Sequence, residues 1–435
     1  MENKKKMIII ILVLLVFISV LLIYKKVFKK NNVVDNPNDN PIVNPNIQNP
    51  NTEFDYKIIY ETNNLVKNEN YLISPLSMGY ALSLLNEGSD GNTKTQIDSL
   101  LNGYKLPNII NVKDRIGIAN LLFIRNRYKN EINQNFISSL QNKYNSDLMF
   151  DDFVTPKKAN DWISDKTYKM IPNAIDKLSE DFVLGVANTI AIDVEWRNKF
   201  ECHRTQKKEF TKIDNTKMDT PMMHGQDDVY YIENSNAKGI IKDYKIYDTK
   251  TNSETYEENE NTIALQYIAI LPNTDITEYL KNFNSKELNN LLETKKSSDS
   301  KTEISYSLPK YTYDYTYEDF QKMLNNLGMT DAFNGDIANF KNMVNDQSDL
   351  ELFVSKSIHK THIELSENGT KAAAVTAFIM DKNAAFMDPK DKIEINFDKP
   401  FIYIIKDKNS DNIWFFGTVY EPMEWEKNTD SCSYR

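Results

Sequence analysis

Small side chains dominate the stretch from Glu367 to Ala377, where Gly369, Thr370, Ala372, Ala373, Ala374 and Thr376 lie between two runs of strand character. This segment constrains the fold more than any other, because its residues support two incompatible conformations. Alanine is the best helix former, so a short helix is the ordinary reading. In an extended chain, Thr370, Ala372, Ala374 and Thr376 instead share one face at a period of two. Such a face can slip between neighbouring strands of an existing sheet, since it needs little volume. A charged side chain there would be buried at a cost of several kcal/mol if it stayed unpaired. On this segment alone both conformations stay open.

The surrounding sequence reads as one large α+β domain at 54–425, in which helical and strand periods alternate without internal repeats or a second linker. Residues 76–85 carry apolar side chains at helical spacing after Ser74 and Pro75, a capping serine and a first-turn proline. Strand-like runs fall at 118–124, 182–194, 262–271, 402–405 and 413–419. The acidic stretch 248–261 has no apolar period and is expected to be an exposed loop.

Residues 1–30 hold an apolar run at 7–24 with lysines on both sides, about the length a bilayer core requires. The expectation is an uncleaved signal anchor, with secretion after signal cleavage and a buried core helix as the alternatives. Residues 31–53 are rich in Asn and Pro and read as an extended spacer. A polar tail occupies 426–435.

Net charge is −10, which argues against a nucleic-acid partner. Two cysteines, Cys202 and Cys432, build no disulfide framework and fit no zinc or Cys-x-x-Cys pattern, and only four histidines are present. No strained Gly-x-Ser-x-Gly turn, phosphate-binding glycine loop, zinc-protease helix motif or EF-hand loop occurs. Cys202 and His203 are adjacent, but adjacency does not bring two side chains into catalytic contact, and a surface loop is expected there. No catalytic residue, metal site or cofactor is assigned.

With its neighbours, the small-residue segment resembles the proximal hinge of an inhibitory serpin, a pattern of Glu-x-Gly-Thr-x-Ala-Ala-Ala-x-Thr. Further matches follow in order along 54–425. They include Ser74-Pro75-Leu76-Ser77, Asn188-Thr189 with Trp196, Leu308-Pro309-Lys310-Tyr311, Leu327-Gly328-Met329, Phe397 to Phe401, and Phe415-Phe416-Gly417. The resemblance implies a serpin fold of three β-sheets and about nine helices, with an exposed reactive-centre loop at 367–396. It implies a polar cluster, the shutter, of Ser74, Ser77, Asn188 and His359 beneath the parting strands, and Trp196 at the breach where insertion starts. Lys169 stands where many members carry glycine in the turn after a helix.

A serpin of this type is a suicide inhibitor of extracellular serine or cysteine proteases, not an enzyme. Cleavage lets the N-terminal half of the loop enter the central sheet and drag the acylated protease with it. Gly369 would let the backbone swing, while Lys371 and Val375 point outward. The family register places the cut between Asn383 and Ala384; a loop one residue shorter puts it after Lys382, and a longer one near Phe386 or Met387. The expected partners are a target protease and, through the N-terminal segment, a membrane. The expected state is a monomer of microbial origin, with the serpin domain outside the cell. The competing readings are a non-inhibitory serpin acting as a binding protein and a surface-anchored hydrolase or adhesin.

Overall fold

The computed structural model describes residues 50–426 apart from 108–110, 176, 227–228, 300, 319, 356, 358 and 371–390. In chain order its helices are α1 (Pro50–Leu65), α2 (Pro75–Asn86), α3 (Gly91–Leu101), α4 (Gln134–Tyr144), α5 (Lys157–Lys166), α6 (Ile276–Asn282), α7 (Ser285–Leu292) and α8 (Phe320–Asn326). The early strands are β1 (Leu72–Ile73), β2 (Ile116–Arg125), β3 (Ser146–Asp151), β4 (Leu184–Ile192), β5 (Val194–Glu195), β6 (Gln206–Thr211), β7 (Lys217–Gly225), β8 (Tyr230–Glu233) and β9 (Ala237–Asp248). There follow β10 (Ser253–Thr255), β11 (Thr262–Pro272), β12 (Lys296–Ser297), β13 (Thr302–Pro309), β14 (Tyr311–Thr316), β15 (Lys360–Ser366), β16 (Gly369–Thr370), β17 (Asp391–Asn396), β18 (Phe401–Asp407) and β19 (Ile413–Val419).

The apolar runs become strands buried on both faces. On β11, β18 and β19, side chains alternate between two cores: Ile268, Ile270, Ile402, Ile404 and Phe416 pack toward the helices. Tyr267, Ala269, Tyr403, Ile405 and Trp414 pack toward the central strands. These three strands belong to an eight-stranded sheet, and β17, β13, β7 and β6 form a second sheet. A smaller core seats α5 over β2 and β3 through Leu121, Phe123, Met149 and Ile163.

Among the described residues four hydrogen-bonded sheets are present where three were expected, and the cause is local. The central strands fall into one ladder of β3, β2 and β4 and another of β14, β15, β16 and β5. Strands β4 and β5 follow each other across Asp193, so the two ladders are halves of one sheet parted by a seam between β4 and β15. The described residues hold eight α-helices where about nine were expected.

Two expectations need correction. The stretch 248–261 is not only loop: β10 pairs with β9, Glu254 reaches Lys245 at 2.8 Å and Glu258 reaches Lys408 at 2.6 Å. Helix α1 begins at Pro50, inside the segment read as spacer. Among the described residues no helix is long and apolar enough to cross a membrane; the anchor expected at 7–24 lies outside them.

Candidate functional site

Glycine allows the hinge to enter the sheet. Gly369 has φ +154°, and a Cβ there would lie 2.1 Å from the Val194 carbonyl oxygen, closer than any side chain tolerates. Without that atom, β16 fits between two strands. Gly369 pairs with Ser366 and Glu195, and Thr370 pairs with Leu365 and Val194. The extended conformation is therefore the one adopted by the described part of the hinge. Thr370 is buried, and its hydroxyl lies 2.6 Å from that of Tyr244.

Directly beyond Thr370 the seam runs on between Ile190, Ala191 and Ile192 of β4 and Thr361, Ile363 and Glu364 of β15, with Met170 and Ile171 from the segment after α5 lining it too. The cavity there is about 20 Å³, room for about one water. No ladder joins β4 to β15 among the described residues, so a strand continuing from Thr370 would find two edges to pair with. It would have room only for small side chains unless the halves part.

Above the seam, Trp196 is fully buried and stacked on Tyr244 at 4.4 Å, with its Nε1–H donated to the Ser366 carbonyl at 2.9 Å. Its backbone N–H holds the Asn368 carbonyl at 2.9 Å, and that of Phe200 holds Glu367 at 3.0 Å. The Glu367 carboxylate is clamped between Lys310 Nζ at 2.9 Å and Thr205 Oγ1 at 2.8 Å. Beside the hinge, burial opposes ionisation of Glu195, but hydrogen bonds from Lys245 and Lys199 outweigh it and hold its carboxyl below the usual range.

Below, the shutter residues meet at the N-terminus of α2. Ser74 caps that helix, accepting the Ser77 N–H at 3.1 Å, and its own N–H is donated to His359 Nε2 at 3.2 Å. Ser77 Oγ donates to Asn188 Oδ1 at 2.6 Å, and Asn188 Nδ2 to Asn120 Oδ1 at 2.8 Å. One helix start thus holds both sides of the seam, Ser74 the approach to β15 and Ser77 the strand β4. Burial lowers the pKa of His359 to about 4, so the imidazole is neutral at pH 7 and can accept from Ser74.

The structure therefore brings together Glu367, Gly369, Thr370 and Trp196 at the top of the seam, and Ser74, Ser77, Asn188 and His359 beneath it. Ala372, Ala373, Ala374, Thr376 and the scissile candidates Lys382, Asn383 and Ala384 lie outside the described residues. Lys169 keeps φ +66°, the left-handed conformation that glycine adopts without strain. Cys202 is disulfide-bonded and so offers no thiol to His203, and Cys432 lies outside the described residues.

Sequence reasoning missed Tyr244, Asn120 and the clamp on Glu367. Asn120 carried a usable signal, a single amide within the apolar strand Ile116–Arg125, since a buried amide needs a partner. Tyr244 carried none, being one tyrosine among many.

Residues 49–422 match the family model of the serpins, serine protease inhibitors. The chain is similar to neuroserpin of Homo sapiens, at 27% identity over 380 residues covering 82% of this chain and 87% of the relative. To the leukocyte elastase inhibitor of Xenopus laevis it is 27% identical over 400 residues, covering 85% and 98%. The crystal structure of the thermophilic serpin Tengpin in the native state superimposes with a TM-score of 0.70 at 28% identity, covering 86% of this chain and 95% of that one. With a hinge seated at the mouth of a parted central sheet and a family match running through nearly all of the described residues, the chain belongs to the serpin family.

Proposed function

We propose that this chain is a suicide inhibitor of extracellular serine or cysteine proteases, held at a membrane by its N-terminal segment with the serpin domain outside the cell. The observation that carries the reading is the placement of Gly369 and Thr370 between β5 and β15 at the head of the seam. A protease that cleaves the following loop forms an acyl-enzyme with its N-terminal half. That half then extends β16 down the seam, gaining hydrogen-bond partners along β4 and β15. Insertion must outrun hydrolysis of the acyl bond, and Ala372, Ala374 and Thr376 favour speed because they ask for little room. One relative supports a protease target through its name, which describes an elastase inhibitor.

The test mixes the full chain with a panel of serine and cysteine proteases. An SDS-resistant complex is expected, with mass spectrometry finding the cut after Asn383, or after Lys382 for a trypsin-like protease. Cleavage of the loop by every protease without any complex would overturn the reading in favour of a non-inhibitory binding protein.

A further inference from the structure

The C-terminal turns of α2, α3 and α4 border a second cavity of about 620 Å³, the size of a small-molecule site. Glu87, the C-cap of α2, accepts from Lys143 at 2.9 Å, Ser139 at 2.7 Å and Tyr144 at 2.8 Å on α4. On α3, Asp98 accepts from Asn86 at 2.6 Å and pairs with Lys94 at 3.5 Å. Two carboxylates and two ammonium groups thus line the cavity as matched pairs. Tyr104 and Tyr144 add ring surface, and Asn342 an amide.

This lining selects against ions. An incoming cation or anion would compete for a carboxylate or an ammonium that already has its partner. A hydroxyl, which both donates and accepts, can join such pairs without displacing either member. The aromatic side chains of Tyr104 and Tyr144, which line the cavity, suit the apolar side of a sugar ring.

Tyr144 connects this cavity to the seam. Its hydroxyl bonds Glu87, while its carbonyl accepts from Asn120 Nδ2 at 2.7 Å. From Asn120 the hydrogen bonds continue to Asn188 and to Ser77 at the start of α2. Glu87 closes the circuit at the other end of the same helix.

We propose that the cavity binds a neutral polyhydroxylated ligand, a mono- or disaccharide, and that occupancy slows opening of the seam. The second half rests on the insertion mechanism above; the first does not. A sugar that bridges Glu87 and Tyr144 tightens the circuit that holds β2 and β4 to α2, so parting the halves must also strain the ligand's contacts.

The experiment titrates maltose, spermidine and sulfate by calorimetry into the full chain, kept in a detergent without sugar headgroups. Saturable heat is expected from maltose alone, weakened at least about tenfold by Asn342→Trp, which fills the cavity, and likewise by Lys94→Trp from another wall. Maltose heat that is absent, or unchanged in both variants, overturns the site, as does preferential binding of spermidine or sulfate. No protease enters this measurement, so its failure is separate from failure of the inhibitory reading. In a second arm, saturating maltose should slow uptake of a synthetic peptide spanning residues 370–383 by about fivefold, a usual size for coupling between sites. Tyr144→Phe should abolish that effect. Uptake at an unchanged rate with maltose bound overturns the coupling.

Discussion

The hydroxyl of Thr370 lies 2.6 Å from that of Tyr244, inside the sheet and away from water. On the proposed mechanism, the first step of strand insertion is thus present before any cleavage. Seating two residues orients the chain, leaving propagation down two strand edges as the remaining motion. The Trp196 stack and the clamp on Glu367 hold the register from above, while Ser74 and Ser77 hold the halves from below.

Thr370→Arg is expected to convert inhibition into substrate turnover. The guanidinium would have to enter the space beside Tyr244, at a cost of several kcal/mol if it stayed unpaired. The SDS-resistant complex should disappear and the cleaved form accumulate. An unchanged stoichiometry of inhibition would contradict insertion through this seam.

Gly369→Ala should unseat β16. The new Cβ meets the Val194 carbonyl at 2.1 Å, and strain of this kind costs about 1–3 kcal/mol. Urea unfolding should report lower stability, and tryptophan emission should shift as the Trp196 stack loosens, a shift absent when Trp196→Phe is combined with it. Stability equal to that of the parent chain would mean that the hinge is not seated there.

Asn188→Ala removes the link between Ser77 and Asn120. Two polar groups lose their partner, which should cost about 1–3 kcal/mol. Uptake of the 370–383 peptide should quicken because β4 is released from α2. Slower uptake would show that Asn188 does not hold the seam closed.

Stability should fall in mild acid through His359. Its folded pKa is about 4 against an ordinary 6.5, with burial as the cause. Above pH 6.5 both folded and unfolded states carry the neutral ring, and this group adds no pH dependence. Between pH 6.5 and 4 the unfolded state takes up the proton first, so stability declines as pH falls, by on the order of 3 kcal/mol across the window. Denaturation midpoints at pH 7.5 and 4.5 should therefore differ less in His359→Gln than in the parent chain. An equal difference in both would place the acid sensitivity elsewhere.

Much of this was legible from local pattern. The start of α2 follows from Ser74 and Pro75, since an N-cap acts on residues two or three positions away. The face shared by Thr370 and the alternate alanines follows from strand periodicity alone. The ordered motifs that resemble serpins marked Trp196, Asn188 and His359 as parts of one apparatus. The strand inside the acidic stretch is not legible in the sequence, because Ser253–Thr255 has no apolar pattern and forms a strand only by pairing with β9.

What periodicity could not supply was the neighbour on each face. Thr370 and Tyr244 are 126 positions apart, and no pattern in either strand names the other. The split of the central sheet likewise depends on which edges find partners, a property of both strands together. The sequence by itself determined which side chains are small, which backbone can turn at Gly369 and which helix begins at Ser74, because these are properties of adjacent residues. Only the tertiary structure decided that the hinge is already two residues inside the sheet and that Tyr144 ties a cavity to the seam, because pairing and packing between distant segments choose among the many neighbours that each local pattern allows.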